Sequence, residues 1–258
     1  VRSLARDLGV DLGAVSGTGA DERVTVTDVR TASETRDIVV PFDNIRRRTA
    51  VGLLASKQTI PHALTTVAAD YTAIDAARRS VGLTALPFVA RAVIDALREY
   101  PLMNATTAED GVSVVTHRAV HLGIAVDLEF RGLVVPVVHD ADGLRLRALA
   151  AAIRDVAGRA RARKLGPDDL AGGTFTITNP GASGTWISVP VINRPQIGIL
   201  STDGVTKLVR AEGDALRIAP IGHLCCSFDH RAVDGAYAGS FVARVREIVE
   251  TRDWRTEL

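Results

Sequence analysis

Cysteine is scarce: the 258 residues hold two, Cys225 and Cys226, and these are neighbours. A bond between adjacent cysteines is strained. The sequence therefore has no disulfide framework, and a reducing, cytoplasmic compartment is expected. An excess of one charge is also lacking. Lys and Arg number 31 against 30 Asp and Glu, a formal net charge of +1. That balance supplies no field to gather nucleic acid or an anionic membrane. No apolar run approaches the ~18–20 residues of a membrane span, so neither partner is expected. His62, His117, His121, His139 and His223 show no metal-ligand spacing, which argues against a metal site. Gly17-Thr18-Gly19 has Glu22 where a third glycine belongs and follows no strand of a βαβ unit, which argues against a dinucleotide loop. Methionine occurs once, at Met103, and the chain opens on Val1 with no basic leader before an apolar stretch. The C-terminal part of a longer polypeptide is expected.

What is present is ordinary globular composition, 47% hydrophobic and 24% charged. Residues 1–30 read as a miniature helical unit: Leu4, Leu8 and Val15 support an early helix, and Thr27 or Asp28 caps a short final one. Residues 31–38 have few large apolar side chains and read as a linker. From residue 39 to 258 the pattern is mixed α/β. Asp43 caps a helix to about Lys57, with Ile45 and Leu53 on one face. Leu86, Val89, Val93 and Leu97 recur at helical spacing over 85–99, as do Leu149, Ile153 and Val156 over 146–163, and Phe241, Val245 and Ile248 over 235–251. Strands are expected at 65–69, 121–127, 133–138, 174–178, 197–201, 207–209, 216–218 and 223–228.

Two stretches carry chemistry. Ser227-Phe228-Asp229-His230-Arg231-Ala232-Val233-Asp234-Gly235 sets a histidine and an aspartate four apart between a strand and a helix. A histidine serves as a general base near neutral pH because its ordinary pKa is about 6.5. The residues alone leave a second reading open, a histidine beside a helix-capping aspartate. In Gly173-Thr174-Phe175-Thr176-Ile177-Thr178-Asn179-Pro180-Gly181 a strand ends at Thr178. A hydroxyl there either donates to a developing oxyanion or satisfies the turn backbone. Arg46-Arg47-Arg48 is either a phosphate contact or a solvated helix face. The two cysteines read as buried and inert.

Together these residues resemble the lipoamide acyltransferase components of 2-oxoacid dehydrogenase complexes. Asp229-His230-Arg231 with Asp234-Gly235 is similar to the family's D-H-R-x-x-D-G. Ser56-Lys57-Gln58 with Pro61-His62 is similar to its S-K-x-x-x-P-H, and Leu122–Val138 to its central hairpin. Residues 1–30 resemble its peripheral subunit-binding domain through Leu4-Ala5-Arg6, Leu8-Gly9-Val10-Asp11-Leu12, Gly17-Thr18-Gly19 and Arg23-Val24. Here Ala20-Asp21-Glu22 replaces the usual small or Gly-rich pair, adding acid to a normally positive contact surface.

The resemblance implies an α/β fold: a two-layer chloramphenicol-acetyltransferase-like domain over 39–258, preceded by the small helical domain. It implies acyl transfer between dihydrolipoamide and coenzyme A, with His230 as base, Thr178 as oxyanion donor and Asp234 holding the His230 loop through an ion pair. The implied cofactor is a lipoyl group on an N-terminal domain absent from this chain, since Lys57, Lys164 and Lys207 sit in no lipoyl-type turn. The implied partners are dihydrolipoamide dehydrogenase or the 2-oxoacid decarboxylase, met through Arg2, Arg6 and Arg23, and further copies forming a homotrimer that builds a larger core. The likeness leans to a branched-chain acyl group over acetyl or succinyl. A non-catalytic core scaffold is the alternative, and the presence of His230 favours the enzyme.

Overall fold

The computed structural model describes residues 1–35, 37 and 39–258. The chain divides into two compact units, Val1–Asp43 and Asn44–Leu258. The first holds helices α1 (Arg2–Asp7) and α2 (Val26–Glu34), with Ala5 and Val29 buried. Thr25 caps α2, two residues before Thr27 and three before Asp28, the caps expected from the sequence. Its hydroxyl accepts from the Asp28 N–H at 3.2 Å while the Asp28 carboxylate accepts from the Thr25 N–H at 2.8 Å. This reciprocal pair satisfies two of the four orphan donors of a helix start. Asp28 also accepts from the Thr18 hydroxyl at 2.6 Å and the Thr18 N–H at 2.9 Å. The Thr18 hydroxyl and the backbone donors hold its carboxyl far below the usual carboxylate range. So Asp28 ties the glycine-flanked loop to the helix. At Gly17 a Cβ would lie 2.1 Å from the Glu22 carbonyl oxygen, which only glycine avoids. Asp21 and Glu22 take φ values of 55° and 56°, the left-handed region where a Gly-rich pair would sit without penalty. The α2 helix continues to Glu34, into the stretch read as linker; Arg36 and Ile38 of that stretch lie outside the described residues.

The second unit opens with α3 (Asn44–Thr59), β1 (His62–Asp70), α4 (Thr72–Val81) and α5 (Leu86–Glu99). Short strands β2 (Ala105–Thr107) and β3 (Val114–Thr116) pair with each other, as do β5 (Val126–Asp127) and β6 (Leu133–Val134). The remaining elements are β4 (Leu122–Ile124), β7 (Val137–Val138), α6 (Leu146–Arg161), β8 (Phe175–Thr178), β9 (Gly198–Thr202), β10 (Thr206–Glu212), β11 (Ala215–Asp229) and α7 (Gly235–Thr251). Seven strands form one mixed sheet in the order β1-β11-β9-β8-β4-β7, with β10 paired to the first half of β11. The β4–β8 and β8–β9 pairs are parallel and the others antiparallel. Helices α5 and α7 pack on the sheet around Phe88, Phe175 and Phe241, all fully buried. The Phe175 and Phe241 rings meet edge to face at 5.7 Å.

Several elements differ from the sequence pattern. Strands β2 and β3 have no counterpart in it, and the expected strands 121–127 and 133–138 each divide between the large sheet (β4, β7) and a separate pair (β5, β6). The runs at 216–218 and 223–228 are one strand, β11. Pro220 and Gly222 lie between the two runs, and the Pro220 carbonyl accepts from the Tyr71 N–H at 2.8 Å. At Gly222 a Cβ would meet the Tyr71 ring at 2.8 Å, so glycine lets the ring lie against the strand. Helix α4 is a further difference. It turns Ile74 and Ala77 inward and stops at Gly82, whose φ is 65°. No helix among the described residues is long and apolar enough to cross a membrane.

Candidate functional site

The β11 strand ends at Asp229, and His230 leaves the sheet exposed. The loop that carries it is fixed from both sides. The His230 N–H donates to the Pro61 carbonyl at 3.2 Å, and the Asp229 carbonyl accepts from the N–H groups of Ala232 and Val233 at 3.0 and 3.2 Å. The Asp229 side chain is 1% exposed. It accepts from the Arg231 N–H at 3.0 Å and from the Arg231 guanidinium at 3.0 Å through Nε and 2.6 Å through Nη2. A bidentate Arg–carboxylate pair is geometrically demanding and strong. It holds the turn on either side of the histidine, leaving the imidazole outside, 5.5 Å from the Phe228 ring.

Asp234 does something different from the sequence expectation. It is the N-cap residue of α7, without a side-chain capping bond, and its carbonyl accepts from the Ala238 N–H at 3.1 Å. Its carboxylate is in no ion pair among the described residues. Within this chain the His230 loop is anchored by the Asp229–Arg231 pair.

Ser56 and His62 close on the backbone of one residue, Ile192. The Ser56 hydroxyl donates to the Ile192 carbonyl at 2.7 Å, and the Ile192 N–H donates to His62 Nε2 at 3.0 Å. His62 Nδ1 lies 2.9 Å from the Ile60 carbonyl. An acceptor carbonyl at Nδ1 and a donor N–H at Nε2 fix the tautomer with the hydrogen on Nδ1. His62 is thus a clasp between the start of β1 and the segment before β9, with both nitrogens committed to backbone.

Thr178 ends β8, half-buried, opposite Ser201 of β9. The turn after it is satisfied by the Asn179 side chain, which accepts from the Gly181 N–H at 3.1 Å. That removes the need for Thr178 to serve the turn, and its hydroxyl has no hydrogen-bond partner among the described residues. The loop beyond is pinned by Asp203, 3% exposed, which accepts from the hydroxyls of Thr185 at 3.1 Å and Ser188 at 2.5 Å.

His230 and Thr178 are not brought together within one chain. Cys225 lies opposite Ser201, and Ser201 opposite Thr178, so His230 is five residues further along β11 and two strands across. At ~3.3 Å per residue and ~4.8 Å per strand their Cα atoms are ~19 Å apart. Cys225 and Cys226 are buried and unbridged, and burial pushes both thiols up. Such thiols are poor nucleophiles. Arg46, Arg47 and Arg48 lie exposed on α3; Arg47 donates to Asn44 at 2.6 Å and Arg46 to the Phe130 carbonyl at 3.5 Å. In the first unit Arg2, Arg6 and Arg23 are exposed and in no ion pair among the described residues. Ser201 and Asp203 carry no sequence signal; strand pairing places Ser201 opposite Thr178, and loop contacts tie Asp203 to the segment beyond it.

Comparison with known proteins follows the same division. Residues 34–255 match the family described as 2-oxoacid dehydrogenases acyltransferase (catalytic domain), and residues 1–30 match the e3 binding domain. The acetyltransferase component of the pyruvate dehydrogenase complex of Mycobacterium bovis is 36% identical, over all of this chain and 55% of that protein. The chain thus spans about half the length of that relative. The lipoamide acyltransferase component of the branched-chain alpha-keto acid dehydrogenase complex of Bacillus subtilis is 31% identical, over all of this chain and 72% of that protein. Among solved structures, the dihydrolipoamide acetyltransferase of Azotobacter vinelandii superposes with a TM-score of 0.81 at 30% identity, covering 88% of this chain and 96% of that one. A serine, a histidine and an asparagine were investigated in the catalytic mechanism of that enzyme. Chloramphenicol acetyltransferase, 13% identical, shares the fold at a TM-score of 0.53, over 83% of this chain and all of that one.

Proposed function

The chain belongs to the 2-oxoacid dehydrogenase acyltransferase family, and from that premise we propose that it moves an acyl group between dihydrolipoamide and coenzyme A within a 2-oxoacid dehydrogenase complex. The observation that carries the reading is a spacing. In the Azotobacter enzyme the serine and the histidine lie as many residues apart as Thr178 and His230, and the asparagine follows the histidine as Asp234 follows His230. A hydroxyl, an imidazole and a short polar side chain thus recur at matching positions.

A thiol with an ordinary pKa near 8.5 is mostly protonated at neutral pH and weakly nucleophilic. His230 takes the proton from the coenzyme A thiol. The thiolate attacks the carbonyl carbon of the acyl-lipoamide thioester, and the carbonyl oxygen becomes an oxyanion that accepts a hydrogen bond from the Thr178 hydroxyl. Collapse restores the carbonyl, breaks the bond to the lipoamide sulfur, and that sulfur recovers the proton from His230. No acyl-enzyme is needed. Because the two residues are ~19 Å apart in one chain, the reading requires two copies, each giving one residue to a site, as a homotrimer within a larger core would allow. Asp234 completes the set beside His230.

The acyl group we propose is a branched-chain one, on the general likeness of the motifs and not on a pocket residue; acetyl, branched-chain and succinyl transferases all match the chain, at 36%, 31% and 34% identity. Rates of coenzyme A acylation from acetyl, succinyl and isobutyryl thioesters of free dihydrolipoamide test both levels. Turnover of any of the three supports the acyltransferase. The highest kcat/KM is expected for isobutyryl; a preference for acetyl or succinyl overturns that choice. No turnover with any would favour a scaffold.

The first unit is proposed to dock dihydrolipoamide dehydrogenase or the decarboxylase through Arg2, Arg6 and Arg23. Reversing all three to Glu is expected to weaken binding, and the affinity of the unaltered chain is expected to fall with salt. Asp21 and Glu22, exposed beside Arg23, make the starting affinity modest. A titration giving equal affinity for both forms would remove this role.

A further inference from the structure

We propose that Ser201 is a positioning residue that sets the direction and donor strength of the Thr178 hydroxyl; the inference rests on the role given to Thr178 above. It begins with sheet register. Ser201 on β9 lies opposite Thr178 on β8 and opposite Cys225 on β11, and Cys225 lies opposite Thr66 on β1. Residues in one row across a sheet present their side chains on the same face, ~4.8 Å apart. Their sequence neighbours Ile177, Leu200, Leu224 and Cys226 belong to the helix-covered core. The opposite face therefore carries hydroxyl, thiol, hydroxyl, hydroxyl in a single row: Thr66, Cys225, Ser201, Thr178.

The first pair in the row is satisfied, with Thr66 Oγ1 3.2 Å from Cys225 Sγ. The second is not. Ser201 is 0% exposed and its hydroxyl has no partner. Beside it stands the Thr178 hydroxyl, also without one among the described residues. A buried hydroxyl left unpaired is costly, and each such case in a folded protein calls for a reason. The half-buried Thr178 hydroxyl, opposite Ser201 in the row, supplies one. A hydroxyl donates once and accepts twice. When Thr178 gives its hydrogen to the oxyanion, its oxygen is left as an acceptor, and Ser201, opposite it in the row, has an uncommitted O–H that can turn to supply the donor. Hydrogen bonds in a chain polarise one another. Donation from Ser201 turns the Thr178 hydrogen outward and strengthens it as a donor. Ser201 does this without touching substrate, since no part of it is exposed.

The test is a double-mutant cycle on this chain, assayed for kcat and for KM toward coenzyme A and acyl-dihydrolipoamide. Ser201→Ala is expected to lower kcat about 10-fold, less than the ~10²–10³-fold lost with a direct oxyanion donor. Both KM values should stay within about twofold, because the interaction strengthens only in the transition state. Its melting temperature should be no lower than that of the unaltered chain, since the change removes an unpaired buried group. Ser201→Cys, close in volume and a weak donor, should fall between the two. In a Thr178→Ala background, Ser201→Ala should cost nothing more. If Ser201→Ala keeps full kcat while Thr178→Ala is impaired, the positioning role is wrong and the reading of Thr178 stands. A Ser201→Ala loss that persists undiminished in the Thr178→Ala background also overturns it. A silent Thr178→Ala removes the role of Thr178 itself, and the inference with it.

Discussion

His230→Ala is expected to lower turnover by ~10²–10⁴-fold, the range for losing a general base. The structure gives reasons to expect a folded variant. The imidazole is exposed, and the loop is held by the buried Asp229 carboxylate, by Arg231 and by backbone bonds to Pro61, Ala232 and Val233. None of these uses the His230 side chain, so melting should move little. The loss should also shrink as pH rises through about 8.5, where a thiol ionises without help. A loss caused by disturbed packing would not follow the thiol in this way. The control is the double variant Cys225→Ala/Cys226→Ala, which should keep most activity because both thiols are buried and burial holds them protonated. A dead cysteine variant beside an active His230→Ala would show that the base has been misassigned.

How much of this was legible in the sequence depends on how far each signal travels along the chain. Helices α5 and α7 were legible because large apolar residues recur at 3.6-residue spacing and bury one face. Helix α4 was not, although its two faces contrast as sharply as those of α5: it has only ten residues, and its buried stripe is a single pair, Ile74 and Ala77, one of them small. The continuity of β11 was hidden by Pro220 and Gly222, whose roles depend on Tyr71 far upstream. The signature around His230 was legible as a motif, but its division of labour was not. Two aspartates flank the histidine, and only coordinates tell which of them meets Arg231. Ser56 and His62 were legible as a pattern too, while their shared target, Ile192, lies more than a hundred residues on. Ser201 carried no signal at all. Its importance is a matter of register between strands that are distant in sequence, and register is a tertiary property.

The register also sets the largest effect to be expected from combining lesions. Thr178→Ala alone should cost ~10²-fold or more, and Thr178→Ser should retain much of the activity because the hydroxyl is what donates. Now take subunits that carry only His230→Ala and co-express them with subunits that carry only Thr178→Ala. If one chain supplied both residues to its own site, every site in the mixture would hold one lesion and the mixture would stay as dead as either parent. The ~19 Å between the two Cα atoms argues against that arrangement, since neither side chain spans such a gap to a single thioester. In a closed ring each interface repeats the same heterologous contact, so the His230 of one subunit faces the Thr178 of the next. A sound site then needs a Thr178→Ala subunit on the histidine side and a His230→Ala subunit on the threonine side. Random mixing gives that pairing at roughly a quarter of interfaces. Activity should therefore recover from a few per cent or less of the unaltered protein to roughly 25% of it. Native mass spectrometry of the same preparation establishes that the rings are mixed. Mixed rings that recover nothing would place both residues in one subunit's site, and the two-copy mechanism would have to be given up.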